Sequence, residues 1–231
     1  MATPASLPLL VIGSKNYSSW SLRPWLFLRK VGLEFQERVV RFDAPDYRAQ
    51  IAAYPPSARV PLLIDGELKI WDSLAICEYA AERTQRGLPK DRAARAVARS
   101  VASEMHSGFQ TLRNEYPMNV RARDRRLAQN APLQADIARI DAIWSDCRAR
   151  FGNVDGKPGA GWLFGEFSLA DAMFAPVLFR FQTYGAGLSP ASAQYLQHGL
   201  ADPLMRQWQD ESMLEDHALP DVDRLGTPAT I

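Results

Sequence analysis

The chain has 231 residues, with 27 Lys and Arg against 26 Asp and Glu, a formal charge of +1. Apolar residues make up 47% and charged residues 23%, which excludes a disordered chain and fits an ordinary globular one. No apolar run approaches the roughly 18–20 residues of a membrane helix, and Cys77 and Cys147 lie too far apart for a metal or redox pair, so the expected setting is the cytoplasm, with reduced thiols and no metal.

The first 85 residues alternate short apolar runs with amphipathic stretches. Leu7–Ile12 is a continuous apolar run of the buried-strand kind, too short and interrupted by Pro8 to act as a signal peptide. Leu22, Trp25, Leu26, Arg29 and Leu33 recur at helical spacing, and Gly32 closes that helix. Pro24 costs least in a first turn, which places the helix start near Ser21. Phe35–Phe42 reads as a second strand and Asp46–Ala53 as a short helix or turn. Val60–Ile64 and Glu67–Ile70 flank Asp65-Gly66, a tight hairpin turn. Asp72–Arg83 reads as a helix. The order β-α-β-(α)-β-β-α is that of a thioredoxin-like domain, an α/β unit with one parallel and two antiparallel strand pairs.

After Gly87-Leu88-Pro89 the texture turns helical. From Lys90 to about Arg150, Ala, Arg, Leu and Ile repeat every three or four residues, and no strand is expected. A loop with five glycines, Gly152–Gly165, precedes an apolar helix over Ser168–Tyr184. A further helix is expected over Ala201–Glu215, and an irregular end from Leu219. The expected domains are therefore 1–84, thioredoxin-like, and 90–231, an all-α helical bundle.

Charge is unevenly spread. Residues 1–85 carry 10 basic and 9 acidic side chains, residues 86–126 carry 10 and 4, and residues 127–231 carry 7 and 13. Arg92, Arg95 and Arg99 share a helical face, and Arg121, Arg123, Arg125 and Arg126 cluster. No aromatic platform or nucleic-acid motif accompanies them, so a solvated face is expected and no nucleic-acid partner.

Four short motifs carry the chemistry. Ser18 and Ser19 sit where a strand gives way to a helix, where free N–H groups and the helix dipole favour an anion; the alternative is simple helix capping. Val60-Pro61 is a candidate cis bond that frees the Val60 backbone for a ligand; the alternative is an ordinary edge-strand proline. Asp72-Ser73 opens a helix, and offers a carboxylate for an ammonium and a hydroxyl for a carboxylate, the needs of an amino-acid terminus. Ser168 and Asp171 form a capping-box pattern with a structural role.

Taken in this order, with Pro61 eleven residues before Asp72, the motifs resemble those of the cytosolic glutathione S-transferases, and the resemblance spans nearly the whole chain. The Ser18-Ser19 loop is similar to that of serine-type, zeta-like bacterial members. The resemblance implies a homodimer, with the helix starting near Lys90 at its interface, and glutathione as co-substrate. It implies that Ser18, with Ser19 next in line, donates a hydrogen bond to the glutathione sulfur. It implies that Val60 and Pro61 present backbone to the cysteinyl unit, that Asp72 and Ser73 hold the γ-glutamyl end, and that Arg59 assists with a carboxylate. The thiolate then attacks a small hydrophobic electrophile, a detoxifying conjugation. Zeta-like maleylacetoacetate isomerases carry cysteine after the two serines, where Trp20 stands here, so isomerisation is the alternative activity and a non-catalytic glutathione-binding module a further one. Candidate walls of the electrophile pocket are Trp20, His106, Phe109, Arg113, Arg180 and Tyr184. Phe109 also suits plain core, His106 an interface, and Arg180 an interdomain contact. Arg113 favours an anionic substrate or the glutathione carboxylates.

Overall fold

The computed structural model describes residues 7–154 and 157–228. Strands β1 (Leu9–Gly13), β2 (Gln36–Val40), β3 (Leu62–Asp65) and β4 (Leu68–Trp71) form one sheet in the order β2-β1-β3-β4. Strand β1 runs parallel to β2, with Leu9 opposite Gln36, and antiparallel to β3, with Leu10 opposite Leu63. The β3–β4 pair is closed at Asp65 and Leu68, where Gly66 takes φ +61°, a conformation that suits glycine in a tight hairpin. Helices α1 (Ser19–Val31), α2 (Tyr47–Ala52) and α3 (Ser73–Thr84) complete the thioredoxin-like domain. The helical domain follows with α4 (Arg92–Ser107), α5 (Gln110–Glu115), α6 (Ala131–Phe151), α7 (Leu169–Tyr184), α8 (Pro190–Ala201), α9 (Pro203–Met213) and the short α10 (Pro220–Asp223).

Four expectations need correction. Helix α1 begins at Ser19 rather than Ser21, because the Ser18 carbonyl already accepts from the Ser21 and Leu22 N–H groups; Pro24 therefore sits in the second turn. The expected helix over 201–215 is the second of two: Pro203 breaks the chain after α8, and the Asp202 carboxylate caps α9 by accepting from the Leu204 N–H at 3.0 Å. The region from Lys90 to Arg150 holds a two-residue ladder, Arg125–Arg126, paired with Thr227–Pro228 of the end segment. In the glycine loop, Asn153–Val154 pairs with Lys157–Pro158, while residues 155 and 156 lie outside the described residues.

One apolar core runs through both domains, from Leu10 and Phe27 beneath the sheet to Trp144 and Trp208 in the helical bundle. Its axis is α7, of whose sixteen residues only Gln182 is not buried. That helix packs against α1, α4 and α8, so it is apolar nearly all round and its few polar side chains are buried too. Trp144 meets Phe174, Phe181 and Tyr195 edge-on at 4.8–5.8 Å between ring centroids.

The Ser168–Asp171 pair fixes the start of α7. The fully buried Asp171 carboxylate accepts from the Ser168 N–H and hydroxyl, both at 2.8 Å, from the Leu163 N–H at 3.1 Å and from the Tyr195 hydroxyl at 3.0 Å. Burial outweighs these donors and pushes its pKa up to about 6. The folded state then binds the extra proton between about pH 4 and 6, so this group's contribution to stability falls as pH rises through that window and is level above it. Urea unfolding should show the advantage of wild type over Asp171→Asn shrinking by about 2–3 kcal/mol from pH 4 to 7; an advantage that grows with pH contradicts the assignment.

Candidate active site

The loop from Ser14 to Ser18 joins β1 to α1, and it is held by the far end of the chain. The Glu215 carboxylate accepts from the Lys15 N–H at 2.6 Å and the Asn16 N–H at 2.9 Å. The Asn16 side chain bonds Asn119 at 3.0 Å and accepts from the Arg121 N–H at 2.8 Å. The Tyr17 hydroxyl donates to Asp223 at 2.8 Å and accepts from Arg121 at 2.8 Å and from the Leu219 N–H at 3.0 Å. Burial and the bond to Asp223 raise its pKa, which keeps the proton on the phenol. The Lys15 ammonium pairs with Glu37 at 2.6 Å and with Glu211, and lies 5.2–5.3 Å from the rings of Trp25 and Trp208. Ser14 takes the Phe42 N–H at 3.0 Å and shares a hydrogen with His217 at 2.8 Å. Ahead of the loop, a Cβ on Gly13 would stand 2.2 Å from the Phe42 ring, so a larger residue there would push that ring aside.

This clamp sets where α1 begins. Ser18 is buried, and its hydroxyl donates to the Ser21 Oγ at 2.7 Å, which in turn accepts from the Gly13 N–H at 3.0 Å. Ser19 faces a cavity of about 570 Å³ between the domains, and its hydroxyl bonds no described residue. Trp20, His106, Arg113 and Arg180 line the same cavity.

Trp20 is the organising side chain of that wall. It is 38% exposed and meets the His106 ring edge-on at 5.3 Å. The Arg23 and Arg113 guanidinium carbons lie 4.3 and 4.9 Å from its ring centre. His106 Nε2 is 3.2 Å from the Asp72 carboxylate, so the histidine bridges the two domains. Burial holds the His106 pKa below its ordinary range, against the pull of Asp72. Arg113 donates to the carbonyls of Gly108, Met105 and His106, and Arg180 to those of Tyr116 and Arg113.

Phe109 and Tyr184 lie outside the cavity lining. Phe109, a candidate wall by sequence, goes to the core instead: α4 ends at Ser107, and Phe109 takes φ +60° and turns away from the cavity that His106 and Arg113 line. Tyr184 stacks on Tyr116 at 4.6 Å, and burial pushes its hydroxyl up to about 12. Tyr17, Phe42, Leu219 and Val222 also line the cavity. The latter two arrive on the tail, with no signal in their local sequence.

On the thioredoxin-like side, the Val60–Pro61 peptide is cis, Val60 is half-buried and Arg59 is exposed. Asp72 has φ +79°, a strained position for a non-glycine residue. Its Oδ1 accepts from the Leu74 and Ala75 N–H groups at 2.8 and 3.3 Å and so caps α3. The Ser73 hydroxyl is buried, with no partner among the described residues. An exposed carboxylate beside an unsatisfied buried hydroxyl at a helix start fits the ammonium and carboxylate of a γ-glutamyl group. Among the described residues no cluster of His, Cys, Asp and Glu has the makings of a metal site.

Known proteins carry the same plan. The family model for the glutathione S-transferase N-terminal domain matches residues 17–83, and that for the C-terminal domain matches residues 96–209. Glutathione S-transferase GstB of Escherichia coli is 30% identical over 188 residues, 79% of this chain and 88% of that protein. The maleylacetoacetate isomerase of Rattus norvegicus is 27% identical, over 80% of this chain and 83% of its own. A Burkholderia glutathione transferase homologue solved with bound glutathione shares the fold, with a TM-score of 0.62 and 24% identity, over 90% of this chain and 99% of its own. The chain belongs to the glutathione S-transferase family. It is a two-domain glutathione transferase, and no helix among its described residues is long and apolar enough to cross a membrane.

If the tail positions the serine loop, Glu215→Ala should speed amide hydrogen exchange at Lys15 and Asn16 by roughly tenfold or more. Exchange in α7 should stay unchanged. Equal acceleration in α7 would show global loosening and contradict a local clamp.

Proposed function

We propose that residues 1–84 hold glutathione, that residues 90–231 supply the electrophile site, and that a serine at the start of α1 activates the thiol. The supporting observation is the placement of Ser19: its hydroxyl is free of protein partners and faces the cavity. The Ser18 hydroxyl is committed to Ser21, so Ser19 takes the sulfur and Ser18 shapes the turn behind it. The reading also draws on the family match and on the Asp72-Ser73 pair, which suits the γ-glutamyl end, with Val60 for the cysteinyl backbone and the exposed Arg59 to assist with a carboxylate.

A free thiol has a pKa of about 8.5. A hydroxyl donor and the positive end of α1 both favour the sulfur anion, so the bound thiol loses its proton to solvent at lower pH. The thiolate then forms a bond to the electrophilic carbon, and the leaving group departs with its electron pair. Trp20, with the Arg23 and Arg113 guanidinium groups against its ring, walls the place where the electrophile lies. A second reading, isomerisation of the maleylacetoacetate type, draws on the rat relative. It lacks the cysteine after the two serines, where Trp20 stands. Two copies of the chain, paired along α4, make up the proposed particle.

Conjugation of 1-chloro-2,4-dinitrobenzene separates the two serines. Ser19→Ala should lower kcat/KM by roughly 10–100-fold, the worth of a hydrogen bond to an anion. Ser18→Ala should cost less. Full turnover in Ser19→Ala together with loss in Ser18→Ala reverses the assignment.

A further inference from the structure

Two guanidinium groups line the electrophile cavity and a third lies against its Trp20 wall, none with a carboxylate at salt-bridge distance among the described residues. Arg23 is fully buried, and its Nε, Nη1 and Nη2 have no hydrogen-bond partner among the described residues. It stands one helical turn after Ser19, outside the cavity lining, with its guanidinium carbon 4.3 Å from the centre of the Trp20 ring. Arg113 and Arg180 line the cavity itself, and their known bonds go only to backbone carbonyls. Burial lowers all three pKa values, Arg180 to about 9, and the charges of Arg113 and Arg180 press on Arg23.

The nearby carboxylates are otherwise engaged. Asp72 faces His106 and caps α3. Asp136 accepts from the Leu112 N–H at 2.9 Å. Among the described residues none of the three arginines has an acidic partner within salt-bridge distance. Buried cations are costly unless an anion meets them, and guanidinium is the side chain best shaped to grip a planar oxyanion.

We propose that Arg23, Arg113 and Arg180 form an anion subsite in the electrophile cavity, which takes a carboxylate carried by an aromatic electrophile lying against Trp20. The proposal rests on the glutathione-transfer reading above and names its substrate class. A carboxylate could also come from glutathione. The candidate glutathione contacts, Val60, Asp72 and Ser73, lie on the thioredoxin-like domain, whereas Arg113 and Arg180 stand on α5 and α7. That favours the electrophile as the source. Arg113 and Arg180 hold the anion directly, and Arg23 adds its charge from its place against the Trp20 ring.

The test compares 4-chloro-3-nitrobenzoate with its methyl ester, which keeps the ring and leaving group without the charge. In both, the glutathione sulfur bonds to the chlorine-bearing carbon, chloride leaves with the electron pair, and the thiol proton passes to buffer. Each kcat/KM is divided by the uncatalysed rate constant at the same pH, which removes the difference in intrinsic reactivity. The wild-type protein should prefer the carboxylate at least tenfold, and Arg113→Gln should bring that preference near one. Equal or better use of the ester by wild type overturns the proposal, even if the variant fails to fold.

A second arm works without turnover. The unreactive 4-methyl-3-nitrobenzoate should bind wild type at least tenfold more tightly than its methyl ester, by calorimetry, with glutathione absent. That result with no conjugation of any electrophile keeps the subsite and removes the transferase reading. If Arg113→Gln instead weakens glutathione binding tenfold and leaves the carboxylate-to-ester ratio unchanged, the anion belongs to glutathione, and the assignment to the electrophile falls.

Discussion

Helix α1 is buried on almost every side, and the rest of the molecule is arranged around that constraint. Ten of its thirteen residues are buried, because it packs against α3 in its own domain and against α7 and α9 in the other. A helix covered from both directions cannot slide or tilt without opening the core. Its N-terminus, with Ser19, Trp20 and Arg23 within two turns, is thereby fixed in the cleft where the domains meet. The continuous core is thus the scaffold that gives a few polar groups a defined position.

Polar contacts complete what packing begins. The loop that feeds α1 bonds side chains about 200 residues further on, at Glu211, Glu215, His217 and Asp223. The matched family segments start at residue 17 and end at residue 209, so much of this clamp lies outside both. The tail serves twice, since Leu219 and Val222 also wall the cavity. The acidic end of the chain therefore has a specific use: part of its charge meets the backbone and side chains of the loop. Part of the basic middle likewise meets individual partners, Glu78 for Arg99 and the Glu215 and His217 carbonyls for Arg121.

Much of the fold is legible in sequence because its signals are local. Gly32 ends α1 in the left-handed conformation, Asp65-Gly66 turns the hairpin, and Asp72 caps α3. Helix α8 is harder to see, as its Ser189 cap and Pro190 precede a stretch with small residues and little periodicity. The cavity is only half legible. Trp20, His106, Arg113 and Arg180 reach it, but the break at Gly108 sends Phe109 to the core, a change that spacing alone does not reveal. Arg23 sits four residues after Ser19, on the same side of the helix, yet beside Pro24 it looks like a surface residue. Packing of α1 against α3, α7 and α9 together makes it a buried cation. The tail contacts join residues too distant in sequence for any local pattern to announce.

The central claim is that the start of α1, through Ser19, stabilises the glutathione thiolate. The ultraviolet absorbance of the thiolate, followed against pH with glutathione bound to the protein, measures this directly. The account predicts a bound-thiol pKa at least about one unit below the free value of about 8.5, with most of that shift lost in Ser19→Ala. A bound thiol that titrates like free glutathione, or a lowered value that Ser19→Ala leaves untouched, would contradict it.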